Sequence, residues 1–135
     1  MTNFRFQLGE RLKSRKEIEY LFSRGSHSIG QYPLRLVWRP AMERRSEFPI
    51  QVATTVSKRN FKRAVDRNRI KRVMREAYRL NKTELYDTLP EQEQQLAWMI
   101  IYIGREMPVS RKVDKAMQKL MRKFLRQFST TPTNS

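Results

Sequence analysis

Cysteine is absent from all 135 residues, which excludes disulfides and thiolate metal sites and suits a reducing compartment. Histidine is almost absent. His27 stands alone in a predicted turn between Gly25 and Gly30, without the partner that acid–base or metal-assisted work on a phosphodiester requires. No GxxxxGK loop is present to cradle a nucleotide phosphate. No apolar run approaches the roughly 20 residues that cross a bilayer. Residues 1–12 lack the apolar centre of a signal peptide, so a cytoplasmic location is the simple reading. Acids are scarce too: 13 Asp and Glu face 29 Lys and Arg, and the net charge is +16. A charge of that size repels itself unless a polyanion neutralises it. Nucleic acid is the first candidate partner, an anionic membrane surface the second, and a merely soluble basic protein the third reading.

What is present is a periodic hydrophobic pattern. Apolar residues make up 39% of the chain, and two Trp, five Tyr and seven Phe supply core material that a disordered basic tail lacks. The length suits one domain, placed at residues 1–128, with a flexible polar tail at 129–135. Residues 1–13 read as extended and irregular, with Phe4, Phe6 and Leu8 alternating. Ser14 and Glu17 then have the spacing of a capping box, opening a helix whose stripe is Ile18, Leu21 and Phe22 and which Gly25 closes. Residues 28–39 alternate as one strand, with Tyr32, Leu34, Leu36 and Trp38 on one face and Arg35 and Arg39 on the other. Pro33 cannot donate to a ladder and marks an edge or a bulge there. A second strand is predicted over 48–57.

From Lys62 to about Asn81 the period becomes helical, with Ile70, Val73, Met74, Ala77 and Tyr78 on one face. Thr83 to Gln95 holds four acids, no base and Pro90, and reads as a loop or the end of that helix. The apolar run Trp98 to Ile103 predicts a central strand buried on both faces. Ser110 opens a last helix with Val113, Met117, Leu120, Met121, Leu125 and Phe128 as its core face. Helix, strand, strand, helix, strand, helix is the order of a small α+β sandwich, its sheet covered by helices.

Charge concentrates in residues 58–82, where eleven Lys and Arg stand against Asp66 and Glu76, a local excess of nine. In a helix, Asn68, Lys71, Arg72, Arg75 and Arg79 share one ridge. Crowded cations suit a nucleic-acid backbone, where each neutralised phosphate releases condensed counterions. Arginine adds a planar fork that pairs with phosphate and stacks on bases, and Asn68 adds an acceptor that pure charge does not need. Asp66, near the helix start, is accounted for by the helix dipole rather than by a metal. A structural RNA binder of the ribosomal kind and a DNA-binding protein remain open on these features, the latter without a clear helix-turn-helix pair.

The strings Thr55-Val56-Ser57-Lys58-Arg59 and Arg63-Ala64-Val65-Asp66-Arg67-Asn68-Arg69-Ile70-Lys71-Arg72 closely resemble the signature of the bacterial ribonuclease P protein-subunit family, whose hallmark is Arg-Asn-Arg, here at 67–69. The helix at 12–25 is similar to the family's LKxxxExxxLFxxG pattern, and the resemblance extends over nearly the whole chain. It implies an α/β sandwich with a mixed sheet and a left-handed βαβ crossover. It implies that Lys58, Arg59, Lys62, Arg63, Arg67, Asn68, Arg69, Lys71, Arg72 and Arg75 bind RNA, with the Arg-Asn-Arg helix docked on a large catalytic RNA. It further implies that a cleft lined by Ile18, Phe22, Tyr32, Leu34 and Leu36 holds the single-stranded leader of precursor tRNA, with Lys58, Arg59 and Arg63 at its edge. Where family members usually carry an aromatic, this chain has Ile18. The chemistry is then expected in the RNA subunit, which holds most of the Mg2+, while the protein aids substrate binding and metal affinity and contributes no catalytic residue and no metal ligand. The catalytic RNA and precursor tRNA are the implied partners, with no membrane and no obligate protein partner.

Overall fold

In the computed structural model, residues 6–91 and 93–130 are described, together with the side chains of all of these except 129 and 130. Phe4 and most of the predicted tail lie outside them. Within the N-terminal stretch, Leu8–Glu10 forms a single 3-10 turn, and Leu12 N–H donates to Val52 O at 2.9 Å.

The first helix, α1 (Arg15–Leu21), begins where expected: Ser14 Oγ accepts from Glu17 N at 3.2 Å. The other half of the predicted box does not form. The fully buried Glu17 carboxylate instead accepts from Met42 N at 3.0 and 3.1 Å and pairs with Arg45, pinning the 41–45 loop to α1. Gly25 takes a φ of +98°, but in the turn after the helix rather than at its cap.

Residues 28–39 form two strands, not one. β1 (His27–Gln31) and β2 (Leu34–Pro40) pair antiparallel, with Ile29 opposite Leu36, and Tyr32 and Pro33 make the turn between them. The even-numbered alternation of Leu34, Leu36 and Trp38 reaches back only to Tyr32, which lies in the turn; the core-facing residue of β1 is Ile29, one step out of phase. β3 (Ile50–Val56), α2 (Ala64–Thr88) and β4 (Leu96–Tyr102) follow, and α3 (Ser110–Thr130) closes the chain. The sheet order is β1-β2-β4-β3, with β4 antiparallel to β2 and parallel to β3, so β3-α2-β4 is a βαβ crossover in a mixed sheet. α2 extends seven residues past Asn81 and takes up part of the acidic segment; α3 takes up residues 129 and 130 of the predicted tail.

The central β4 is buried on both faces, as its unbroken apolar run requires. On one face Leu34, Leu36, Trp38, Trp98 and Ile100 meet Ile70, Met74 and Tyr78 of α2 and Met117, Leu120 and Phe124 of α3. Trp98 and Trp38 stand edge-on to Phe124 at centroid distances of 4.8 and 5.0 Å, a favoured arrangement for aromatic quadrupoles. His27 stacks on Trp38 at 4.4 Å, in a strand rather than the turn predicted for it. The other face carries a thinner layer, in which Leu12 and Leu21 cover Ala97 and Met99, with Ile18, Val37, Ala53 and Ile101 partly buried around them.

Candidate nucleic-acid interface

The basic site is built at the entry to α2. Arg63 occupies the N-cap position without a side-chain cap. The Arg67 guanidinium turns back instead and donates to Phe61 O and Lys62 O, both at 2.8 Å. Arg67 thereby fixes the preceding turn, which carries Lys58, Arg59 and Lys62, against the first turns of the helix. These three stay exposed, as do Arg63, Asn68, Arg69 and Arg72, while Lys71 and Arg75 are half-buried on the flank. Asp66 lies 3.6 Å from Arg63, an exposed pair that leaves the field positive.

Cations crowd further along the same flank. Partial burial holds the Arg75 guanidinium below its ordinary value, and Arg11 and Arg72 push it the same way by like charge. Arg11, delivered by the bridge that joins the N-terminal stretch to β3, thus belongs to this surface. Only distance along the chain hid it, since nothing in the spacing of residue 11 connects it to a helix beginning at 64. Arg79, placed on the ridge by spacing, is paired with Glu76, whose carboxyl is held below its usual range by that hydrogen bond.

Lys82 departs from the solvated face that its place in the basic segment suggested. It is 3% exposed and its ammonium meets the fully buried Glu10 carboxylate at 2.7 Å. Tyr86 donates to the same carboxylate and exchanges a 2.9 Å hydrogen bond with Tyr78. Burial is the largest cause raising both phenol pKa values, so both remain protonated beside Glu10.

The predicted cleft residues divide. Ile18 is half-buried on α1, and Phe22, at the end of that helix, is 56% exposed beside the thin-layer face. Leu34 and Leu36 are both 0% exposed and sit in the opposite core under α2 and α3, so they do not line an open cleft. Alternation explains the error: with Leu34, Leu36 and Trp38 facing the large core, the face toward α1 belongs to Arg35, Val37 and Arg39. Sequence reasoning missed Val37, Ala53 and Ile101 on that face, although the parity that buries Leu36 implies Val37. Tyr32, at the hairpin turn, is 70% exposed and lines a recess against α3.

Among the described residues, no three His, Cys, Asp or Glu side chains gather in a group that could hold a metal ion. Glu10 and Glu17, the buried carboxylates, are committed to Lys82 and Arg45. The side chains of the described residues therefore do not fit a Mg2+ site. No helix of the described residues is long and apolar enough to cross a membrane.

Comparison with known proteins identifies the family and the fold. A ribonuclease P protein component from Porphyromonas gingivalis is 41% identical over 118 residues, 87% of this chain and 85% of the relative. Another from Chlorobium phaeobacteroides is 32% identical over 120 residues, covering 83% and 82%. The solved RNase P protein of Staphylococcus aureus matches with a TM-score of 0.63 at 16% identity, over 85% of this chain and 94% of that one. The protein from Thermotoga maritima matches with a TM-score of 0.54 at 18% identity, over 91% and 98%. At such identities the solved structures speak for the fold alone. Residues 6–128 match the family model for Ribonuclease P, and the chain belongs to the ribonuclease P protein family.

Proposed function

We propose that this chain serves as the protein subunit of ribonuclease P, binding the catalytic RNA through the start of α2 and the single-stranded leader of precursor tRNA on the thin-layer face beside α1. The single observation that carries this reading is the cluster of exposed cations, Lys58, Arg59, Lys62, Arg63, Arg69 and Arg72, held around Asn68 by the Arg67 tether. A rigid array of this kind neutralises several phosphates at once and releases their counterions. The leader would lie over Val37, Ala53 and Ile101 with Phe22 at the edge, where bases find apolar and aromatic surface and Arg35 offers charge.

In this role the protein screens repulsion between leader and catalytic RNA and contributes no catalytic group of its own. Hydrolysis then belongs to the RNA subunit with its Mg2+. The cytoplasm is the compartment this reading requires.

The test is cleavage of precursor tRNA by a bacterial ribonuclease P RNA at low Mg2+, with and without the protein. Cleavage at the mature 5′ end that needs both components is the expected result. Cleavage by protein alone, or no stimulation of the cognate RNA, would reject it and favour a structural RNA binder. Arg69→Ala is expected to weaken assembly with the RNA without loss of fold, because Arg69 is exposed.

A further inference from the structure

A second basic face runs along α3. Arg111, Lys115, Lys119, Arg122 and Arg126 recur every three or four residues and are all exposed, opposite the buried Val113, Met117, Leu120 and Phe124. Asp114 is the one acid of this helix, and it is turned toward α2, where Asn81 donates to it at 2.7 Å. Fifteen steps of helix separate Arg111 from Arg126, a track of about 22 Å. That is longer than any single small anion needs.

The track begins at a recess of about 400 Å³ between the β1–β2 turn, the loop after β4 and the first turns of α3. Tyr32, Met107 and Val109 give it an exposed apolar rim, while Lys112, Lys115 and Lys119 line its α3 side. Glu106 also borders the recess; its side chain is exposed and its backbone carbonyl accepts from Tyr102 OH at 2.7 Å. A solvent-facing aromatic ring beside a row of cations matches the two halves of a nucleotide: π surface for the base, charge for the phosphates.

We infer that this recess binds one nucleotide of a single-stranded RNA, its base against Tyr32 and its phosphates on Lys112, Lys115 and Lys119, with the adjoining backbone along α3. The recess shares no lining residue with the α2 surface or with the face beside α1, although its Tyr102 packs on Phe61 of the basic turn at a centroid distance of 6.0 Å. It rests on the proposed function only in taking RNA as the polyanion that the chain meets.

The experiment titrates the full chain with a short oligouridylate, following fluorescence anisotropy against salt and the backbone amide shifts of residues 32 and 107–119. Tyr32→Ala is expected to weaken binding about tenfold with the salt dependence kept, and Tyr32→Phe to bind as the parent does. Replacing Lys112, Lys115 and Lys119 together by Gln should lower the slope of log affinity against log salt by about 2, at roughly 0.7 per neutralised phosphate. Unchanged affinity in Tyr32→Ala, or an unchanged slope in the triple variant, would overturn the inference. Equal competition by polyglutamate would overturn it too, marking a general anion surface or a peptide site. Cleavage at low Mg2+ is read separately on the parent protein. Stimulated cleavage with Tyr32-independent oligonucleotide binding rejects the recess alone, and the reverse pattern rejects the ribonuclease P role alone.

Discussion

The two faces of one sheet have been put to different uses. Under α2 and α3, two tryptophans, Tyr78 and Phe124 interlock with a full layer of aliphatic side chains, and these four rings are sealed from solvent. On the other face the seven-residue α1 is too short to cover four strands, so Val37, Ala53 and Ile101 stay partly exposed and Phe22 stands at the edge. A thick core on one side can hold the sheet rigid while the other side remains accessible. Binding surfaces built on strands supported in this way keep their geometry when the ligand is absent.

The comparison breaks most readily from the thick side. Phe124→Ala removes the ring on which both tryptophans pack and should cost about 3–5 kcal/mol, read as a fall in the urea midpoint. A loss below about 1 kcal/mol would show that α3 does not seal this face. Lys82→Ala leaves the Glu10 carboxylate buried without its cation and should cost about 3 kcal/mol, with Glu10→Gln added to it restoring part of the loss. If the double variant is no better than the single, the pair is not the source of the effect.

The thin side responds in the opposite sense. Phe22→Ala should change stability by less than about 1 kcal/mol, because the ring is more than half exposed, yet weaken precursor tRNA binding more than mature tRNA binding. Equal losses for the two tRNAs, or a large fall in the urea midpoint, would assign Phe22 to the core instead.

Much of this was legible in the chain itself. The helical period from Ile70 to Tyr78 and the apolar stripe of α3 are local signals, and both became core faces. The run at 98–103 announced a strand buried on both faces, and β4 at 96–102 is that strand. Alternation also assigned Leu34, Leu36 and Trp38 to one face, but did not say which face the helices would load more heavily. That choice moved Leu34 and Leu36 from a cleft to the core. The hairpin reversal at Tyr32 and Pro33 is written as a phase shift, because Ile29 faces the core at an odd position and Leu34, Leu36 and Trp38 at even ones. A single-strand reading that starts at Tyr32 passes over it.

Sequence alone determined the charge, its concentration ahead of and within α2, the family resemblance and the amphipathic helices, since each depends on residues within a few turns of one another. Tertiary structure alone decided that Lys82 turns inward to Glu10 across 72 positions, that Arg11 comes near enough to Arg75 to be felt as like charge, and that Tyr32 shares a recess with the lysines of α3. Those relations arise where segments distant in the chain pack together, and no local periodicity encodes them.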